Sequence, residues 1–322
     1  MFISKQNGTE VDLLTTKTRR QHMVVKADLH FQSRYLDVGG SKIHYVEEGK
    51  GVNTVLFLHG CPTSSYLWRN IIPIVAASGN NHCIALDLIG FGKSDKPDID
   101  YNFQDHFRYV KEFIDEMQLG NDKNLIIVGH DWGGVLGFWY AFNRQESIKG
   151  MAFMETFPFT VSIDDFPPDF AKLLQAFRTK GSGYELIQVQ NVFVEQVLPS
   201  AVFNKQNLSE EVMRHYREPF PTIGSRKPVR RFPEMLPLNP NVEGEAYTVI
   251  QKLETALPDF KFPMLLIKGS PGAVIPESRV KWLQEKIPHL LIRDIGPAIH
   301  YLQEDNPEGI GNRILEWIYK ID

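Results

Sequence analysis

Cysteine is scarce in this chain: Cys61 and Cys83 are the only two among 322 residues. Two thiols cannot build a disulfide framework or a cysteine zinc site. Both lie beside apolar runs, where reduced, buried thiols are expected. Long hydrophobic runs are also missing. No stretch approaches the roughly 18 apolar residues that a membrane-crossing helix needs. Residues 1–25 hold Lys5, Glu10, Asp12, Lys17, Arg19 and Arg20 and no apolar signal core. A strong charge of either sign is lacking too. The formal net charge is −4, which gives no global attraction to nucleic acid or to an anionic membrane. These absences predict a soluble, cytoplasmic protein with neither nucleic acid nor membrane as partner and no metal site. The local basic cluster Arg226, Lys227, Arg230 and Arg231 is expected to be a solvated loop.

What is present is an ordinary globular composition, long enough to bury a large core unaided. Residues 1–30 read as a polar extension. Strand and helix patterns then alternate. Strands are expected at 42–48 (KIHYVEE), 54–59 (TVLFLH), 82–88 (HCIALDL), 125–128 (LIIV), 148–154, 264–268 (MLLIK) and 290–295. Helices are expected at 66–77, 103–117, 132–142, 245–256, 277–286 and 307–319. The alternation breaks over residues 157–240. That stretch holds helical patterns near 170–177, 184–197 and 210–216, separated by prolines, and a proline-rich run from Pro219 to Pro240. Such an order predicts a mostly parallel sheet covered on both faces by helices. The core would comprise residues 31–156 and 241–322. The insertion at 157–240 would form a helical cap over the carboxyl ends of the strands, where open α/β sheets hold ligands.

The sharpest motif is Gly129-His130-Asp131-Trp132-Gly133, between the strand LIIV and a helix. It fits a nucleophile elbow of the form Gly-x-nucleophile-x-Gly, with Asp131 at its centre. Side chains at the flanking positions would collide with so tight a turn. A carboxylate nucleophile needs no base to attack a saturated carbon, because it is ionised near neutral pH. It leaves an ester on the enzyme, and water needs a base to remove it. His300 follows the last strand pattern, where that base belongs in the order nucleophile, acid, histidine. His289 sits at the wrong end of that strand, and His59 and His130 are expected to orient backbone. The loop after the seventh strand, 269–276, carries no carboxylate. Glu155, at the end of the sixth strand, is therefore the expected acid, holding the imidazole tautomer and stabilising the imidazolium. The loop His59-Gly60-Cys61-Pro62 should supply one oxyanion-type N–H from Cys61 and the elbow a second from Trp132.

Three longer runs accompany the elbow. They begin with His59-Gly60-Cys61-Pro62-Thr63-Ser64-Ser65-Tyr66-Leu67-Trp68-Arg69-Asn70. The second is Asp87-Leu88-Ile89-Gly90-Phe91-Gly92-Lys93-Ser94-Asp95-Lys96-Pro97, and the third His300-Tyr301-Leu302-Gln303-Glu304-Asp305-Asn306-Pro307. Over about residues 30–320 the chain resembles the haloalkane dehalogenases whose acid follows the sixth strand. That group also contains coelenterazine luciferases of the sea-pansy type. The resemblance implies an α/β-hydrolase fold, with an eight-stranded, mostly parallel sheet and a helical cap after the sixth strand. It implies no cofactor, a small apolar organic substrate (a haloalkane or coelenterazine) and a halide ion as a further partner. Asp131 would be nucleophile, Glu155 acid and His300 base, and the Trp132 indole would donate to the leaving halide. Phe177 and Phe193 would line the pocket, and Phe232 and Val274 would border its tunnel. One position departs from the pattern. Cys61 stands where the family usually has an asparagine as second halide donor, and a thiol is a weak donor. Halide binding is expected to be weakened accordingly.

Dehalogenase-type hydrolysis is the leading expectation. A coelenterazine luciferase, a cofactor-independent monooxygenase, is the second. An epoxide hydrolase would use cap tyrosines, for which Tyr184, Tyr216 and Tyr247 are the candidates. A non-catalytic binding protein would have no need of Asp131, Glu155 and His300 together.

Overall fold

The computed structural model describes residues 25–238 and 244–322. The polar extension expected over 1–30 lies mostly outside the described residues. Its end docks on the core: Arg69 Nε donates to the Lys26 carbonyl at 2.7 Å and the Tyr66 hydroxyl to the Ala27 carbonyl at 2.5 Å.

Eight strands form one sheet in the order β1-β2-β4-β3-β5-β6-β7-β8. β1 (Arg34–Val38) and β2 (Ser41–Glu48) form a hairpin through Gly39 and Gly40, whose φ values of 57° and 79° suit a two-residue turn. β2 pairs antiparallel with β4 (Asn81–Leu86). β3 (Asn53–Leu58), β4, β5 (Leu125–His130), β6 (Ile148–Met154), β7 (Met264–Pro271) and β8 (Leu290–Ala298) all run parallel. Every residue of β3 and of β5 is buried. Their continuous apolar runs reflect a sheet covered on both faces. β1, absent from the expected strands, reads RYLDV and buries only Val38, so it offers no alternation to detect.

The covering helices are Phe103–Glu116, Asp131–Asn143, Glu245–Ala256, Glu277–Lys286 and Pro307–Ile321. Asn102 and Asp105 close a capping box on Phe103–Glu116, which fixes where that helix starts. Residues 66–77, expected as one helix, form a 3-10 turn (Ser65–Trp68) and a short α-helix (Ile72–Ala76).

Between β6 and β7 no strand occurs among the described residues. The chain forms helices Pro168–Arg178, Glu210–Arg217 and Lys227–Glu234, with π-turns at Tyr184–Val189 and Phe193–Val197. Lys227–Glu234 corrects the expectation of a solvated basic loop. Pro228 occupies its first turn, where no N–H is needed. Lys227 reaches Asp98 at 2.9 Å and Arg231 Nε donates to the Asp100 carbonyl at 2.9 Å, both on the core. Arg226 donates to the Phe220 and Gln188 carbonyls and Arg230 to Gln188 Oε1. The cluster fastens the cap. Among the described residues no helix is long and apolar enough to cross a membrane.

Candidate active site

The carboxyl ends of β5 and β6 put two acidic residues in strained backbone. Asp131 follows β5 at φ 51° and Glu155 follows β6 at φ 43°. Left-handed backbone at a non-glycine residue costs of order 1–3 kcal/mol and gathers at functional sites. The tight elbow is possible because its neighbours are glycines. A Cβ on Gly133 would stand 2.3 Å from the carbonyl oxygens of Leu58 and His59, and one on Gly60 would stand 2.3 Å from Asp131 Oδ2. Thr156 Oγ1 ties the turn down by donating to the Asp131 carbonyl at 2.7 Å.

Asp131 is 7% exposed and begins its helix, so its carboxylate lies against free N–H groups. The Cys61 N–H donates to Asp131 Oδ2 at 2.8 Å, and the Trp132 N–H lies close enough to the carboxylate to lower its pKa. Burial raises the Asp131 pKa above the usual aspartate value, opposed by His300 and by those two N–H donors.

His300 follows β8, and its Nδ1 lies 3.3 Å from Glu155 Oε2. Burial alone would lower the His300 pKa. The bond to Glu155 and the charges of Asp131 and Glu155 outweigh burial and raise it above 6.5. Glu155 is held in turn by the loop after β7. The N–H groups of Ala273, Val274 and Ile275 donate to its carboxylate at 2.9, 2.7 and 3.2 Å. That loop lacks a carboxylate of its own and instead cradles the one from β6. Sequence reasoning missed this role, because backbone donors carry no residue signature. Gly272 in the same loop, at φ 71°, was the available signal.

His59 and His130 serve the backbone. His59 Nε2 accepts from the Leu88 N–H at 2.9 Å and its Nδ1 pairs with the Gly60 carbonyl at 2.8 Å. His130 Nε2 donates to the His300 carbonyl at 2.9 Å. The Tyr301 hydroxyl donates to the Cys61 carbonyl at 3.0 Å, joining the loop of His300 to the loop after β3.

Above Asp131 lies a cavity of about 260 Å³. Asp131, Trp132, Cys61 and His300 form its floor. Its walls include Phe193, Phe232, Leu174 and Val274. Phe232 stacks on Trp132, ring centroids 5.2 Å apart, and is 1% exposed. It forms part of the cavity wall. Phe177, expected to line the pocket, packs behind Phe193 at 5.5 Å and does not reach the cavity. Neither Tyr184, Tyr216 nor Tyr247 lines it; Tyr216 is buried against Glu304 instead. Among the described residues no group of His, Cys, Asp and Glu is arranged to hold a metal ion.

Comparison with known proteins gives the chain a family. The family model of the alpha/beta hydrolase fold matches residues 53–307. A haloalkane dehalogenase of Mesorhizobium japonicum is 39% identical over 310 residues, covering 96% of this chain and 97% of that protein. One of Bradyrhizobium diazoefficiens is 40% identical over 307 residues, covering 91% and 96%. Among solved structures, an ancestral haloalkane dehalogenase aligns with TM-score 0.84 at 43% identity, over 89% of this chain and 99% of its own. The haloalkane dehalogenase DbeA of Bradyrhizobium elkani aligns with TM-score 0.85 at 39% identity, over 90% and 98%. The chain belongs to the α/β-hydrolase fold family and, within it, to the haloalkane dehalogenases, enzymes of the hydrolase class.

Proposed function

We propose that the protein hydrolyses the carbon–halogen bond of small haloalkanes through an ester on Asp131. The observation that carries this reading is a buried carboxylate at the floor of an apolar cavity, within reach of two N–H donors and coupled to a histidine–glutamate pair. In the first step an Asp131 oxygen attacks the halogen-bearing carbon. The new carbon–oxygen bond forms as the carbon–halogen bond breaks, and the halide leaves with the electron pair. No proton moves, so no base is needed.

In the second step His300 takes a proton from water as that water attacks the ester carbonyl. The Cys61 and Trp132 N–H groups that hold the resting carboxylate are placed to hold the oxyanion. Collapse breaks the carbonyl carbon–oxygen bond to the alkoxide, which takes the proton from the His300 imidazolium and leaves as the alcohol. Asp131 returns as the carboxylate once its own proton passes to solvent through His300. Glu155 stabilises the imidazolium while it exists. The departing halide meets the Trp132 indole. Cys61 adds little there, since a thiol is a weak donor and its sulfur lies against a carbonyl of the cap.

His300→Phe tests the division of labour. Alkylation should proceed and hydrolysis should stop, leaving a covalent alkyl group on Asp131 after exposure to bromobutane. Intact-protein and peptide mass spectrometry would locate it, with Asp131→Ala as the control that takes up nothing. An unmodified His300→Phe protein, beside a wild type that releases bromide from the same substrate, would end this reading.

A further inference from the structure

Cys61 touches three segments through three groups. Its N–H meets the Asp131 carboxylate, its carbonyl meets the Tyr301 hydroxyl, and its Sγ lies 3.7 Å from the Val229 carbonyl oxygen. The last contact has a cause in the cap sequence. In an α-helix a carbonyl is paired by the N–H four residues on. For Val229, within Lys227–Glu234, that residue is Pro233, which has no N–H. The helix therefore lacks the i+4 bond at the carbonyl that meets residue 61. Val229 is 0% exposed and Cys61 3%, so water is a poor substitute, and a buried carbonyl without a donor is costly. Burial, with Asp131 nearby, raises the thiol pKa well above its usual value, so the sulfur keeps its proton and acts as a donor.

We propose that the Cys61 side chain is a positioning group for the cap. Its S–H pairs with the Val229 carbonyl left open by Pro233 and holds the helix Lys227–Glu234 against the catalytic floor. It does not donate to the halide. The consequence for the reaction follows from what that helix carries. Phe232, stacked on Trp132, and Pro233 both line the cavity. The thiol thus sets how closely the cavity wall approaches the nucleophile. The kinetic part of this inference rests on the haloalkane reading above; the bonding part does not.

The bonding part has a spectroscopic test that needs no turnover. In full-length protein carrying Cys83→Ala, Cys61 is the one remaining thiol, and its S–H stretching band can be read by infrared difference spectroscopy. The band should lie at the lower frequency of a hydrogen-bonded thiol. Pro233→Ala supplies the missing N–H to Val229, so it should move the band toward the free-thiol position. Saturating bromide should leave it in place. A free-thiol band in the parent protein, a band indifferent to Pro233→Ala, or a band shifted by bromide would each overturn the proposal.

The kinetic test is a double-mutant cycle. Cys61→Ala should raise KM for bromohexane about three- to tenfold and change kcat less than about twofold, the size expected for loss of one weak hydrogen bond. Cys61→Ser, which keeps a donor, should recover most of that loss. In the Pro233→Ala background the same Cys61→Ala change should shift KM less than about twofold, because the two substitutions act on one carbonyl. Additive effects would overturn the proposal. Absence of any turnover in the wild type would instead count against the haloalkane reading, and the infrared bands would still decide the bonding.

Discussion

Asp131 and His300 each shift the other's proton affinity, and the sign of that coupling can be measured. In the proposed mechanism His300 must be neutral to take a proton from water. Its pKa is raised above 6.5 by Glu155 and Asp131 against the lowering effect of burial. In the alkyl-enzyme the Asp131 charge is gone and only Glu155 opposes burial, so hydrolysis of the ester should fail as pH drops through a value below the His300 pKa of the free enzyme. Glu155→Gln removes the charge and weakens the bond that favours imidazolium. The acid limb should then move to lower pH, while the plateau rate of ester hydrolysis falls on the order of a thousandfold or more, by analogy with the serine triad. Single-turnover kinetics across pH would read both effects. An unmoved limb at full rate would place the acid elsewhere. Glu277 and Asp294 are poor substitutes, since both are paired to Lys268, at 2.7 and 3.1 Å. At this scale the sequence pointed to side chains that the fold brings together: Asp131 between glycines, Glu155 ending an apolar strand, His300 after another. It was silent on the three N–H donors around Glu155. It was also silent on Phe177, whose position behind Phe193 depends on packing within the cap.

Elements are joined across the molecule by one buried cluster that the run from His300 to Pro307 only hints at. Arg69 and Glu304 form a bidentate pair at 2.6 and 2.8 Å, with side chains 1% and 0% exposed. The Tyr216 hydroxyl, from the cap helix Glu210–Arg217, donates to the same Glu304 carboxylate. Glu304 thus links the cap and the end of the 3-10 turn Ser65–Trp68 to the loop that carries His300. Breaking one side of a buried pair strands the other charge. Glu304→Gln should cost about 3–5 kcal/mol of unfolding free energy, whereas replacing both partners by apolar residues should cost less. Urea unfolding with matched slopes would measure this, and a loss under about 0.5 kcal/mol would show that Arg69 finds water or another partner. The legibility of elements followed their local signals. Long apolar runs and amphipathic periods revealed seven strands and the covering helices. The helix Lys227–Glu234 stayed hidden because Pro228 and Pro233 mark it as a loop, although one sits in the first turn and the other leaves a carbonyl for the core to satisfy.

At the scale of the whole molecule, the sheet fixes the charges and the cap fixes the space above them. Core strand ends and loops hold Asp131 and Glu155, while the loop of His300 is also tied to the cap, its N–H donating to the Ala201 carbonyl at 2.9 Å. A change in the cap wall away from residue 201 should therefore alter substrate choice without disturbing the chemistry. Leu174 is a suitable probe. It lies in the helix Pro168–Arg178, is 1% exposed and lines the cavity, and it makes none of the polar contacts of the site. Leu174→Ala removes three carbons from one wall of a space that is already open. Burying extra methylenes of a longer substrate there gains roughly 0.8 kcal/mol for each one fully buried. The preference for bromohexane over bromobutane, expressed as a ratio of kcat/KM, should therefore rise about fourfold to fifteenfold for one to two newly buried methylenes. The rate of ester hydrolysis with bromobutane should stay within about threefold, because Glu155 is held by the loop after β7 and His300 by Ala201, in a cap segment separate from the helix Pro168–Arg178. The substitution should also destabilise the fold by about 2–3 kcal/mol, the low end for a buried leucine, since one side of Leu174 faces the cavity and has few contacts to lose. Chain-length kinetics and denaturant unfolding on the same preparation would check all three. If the preference stays flat while stability falls, the wall has collapsed into the space, and the cap must be treated as a compliant cover. If ester hydrolysis falls with it, the cap and the catalytic floor are coupled more tightly than the backbone bonds alone require.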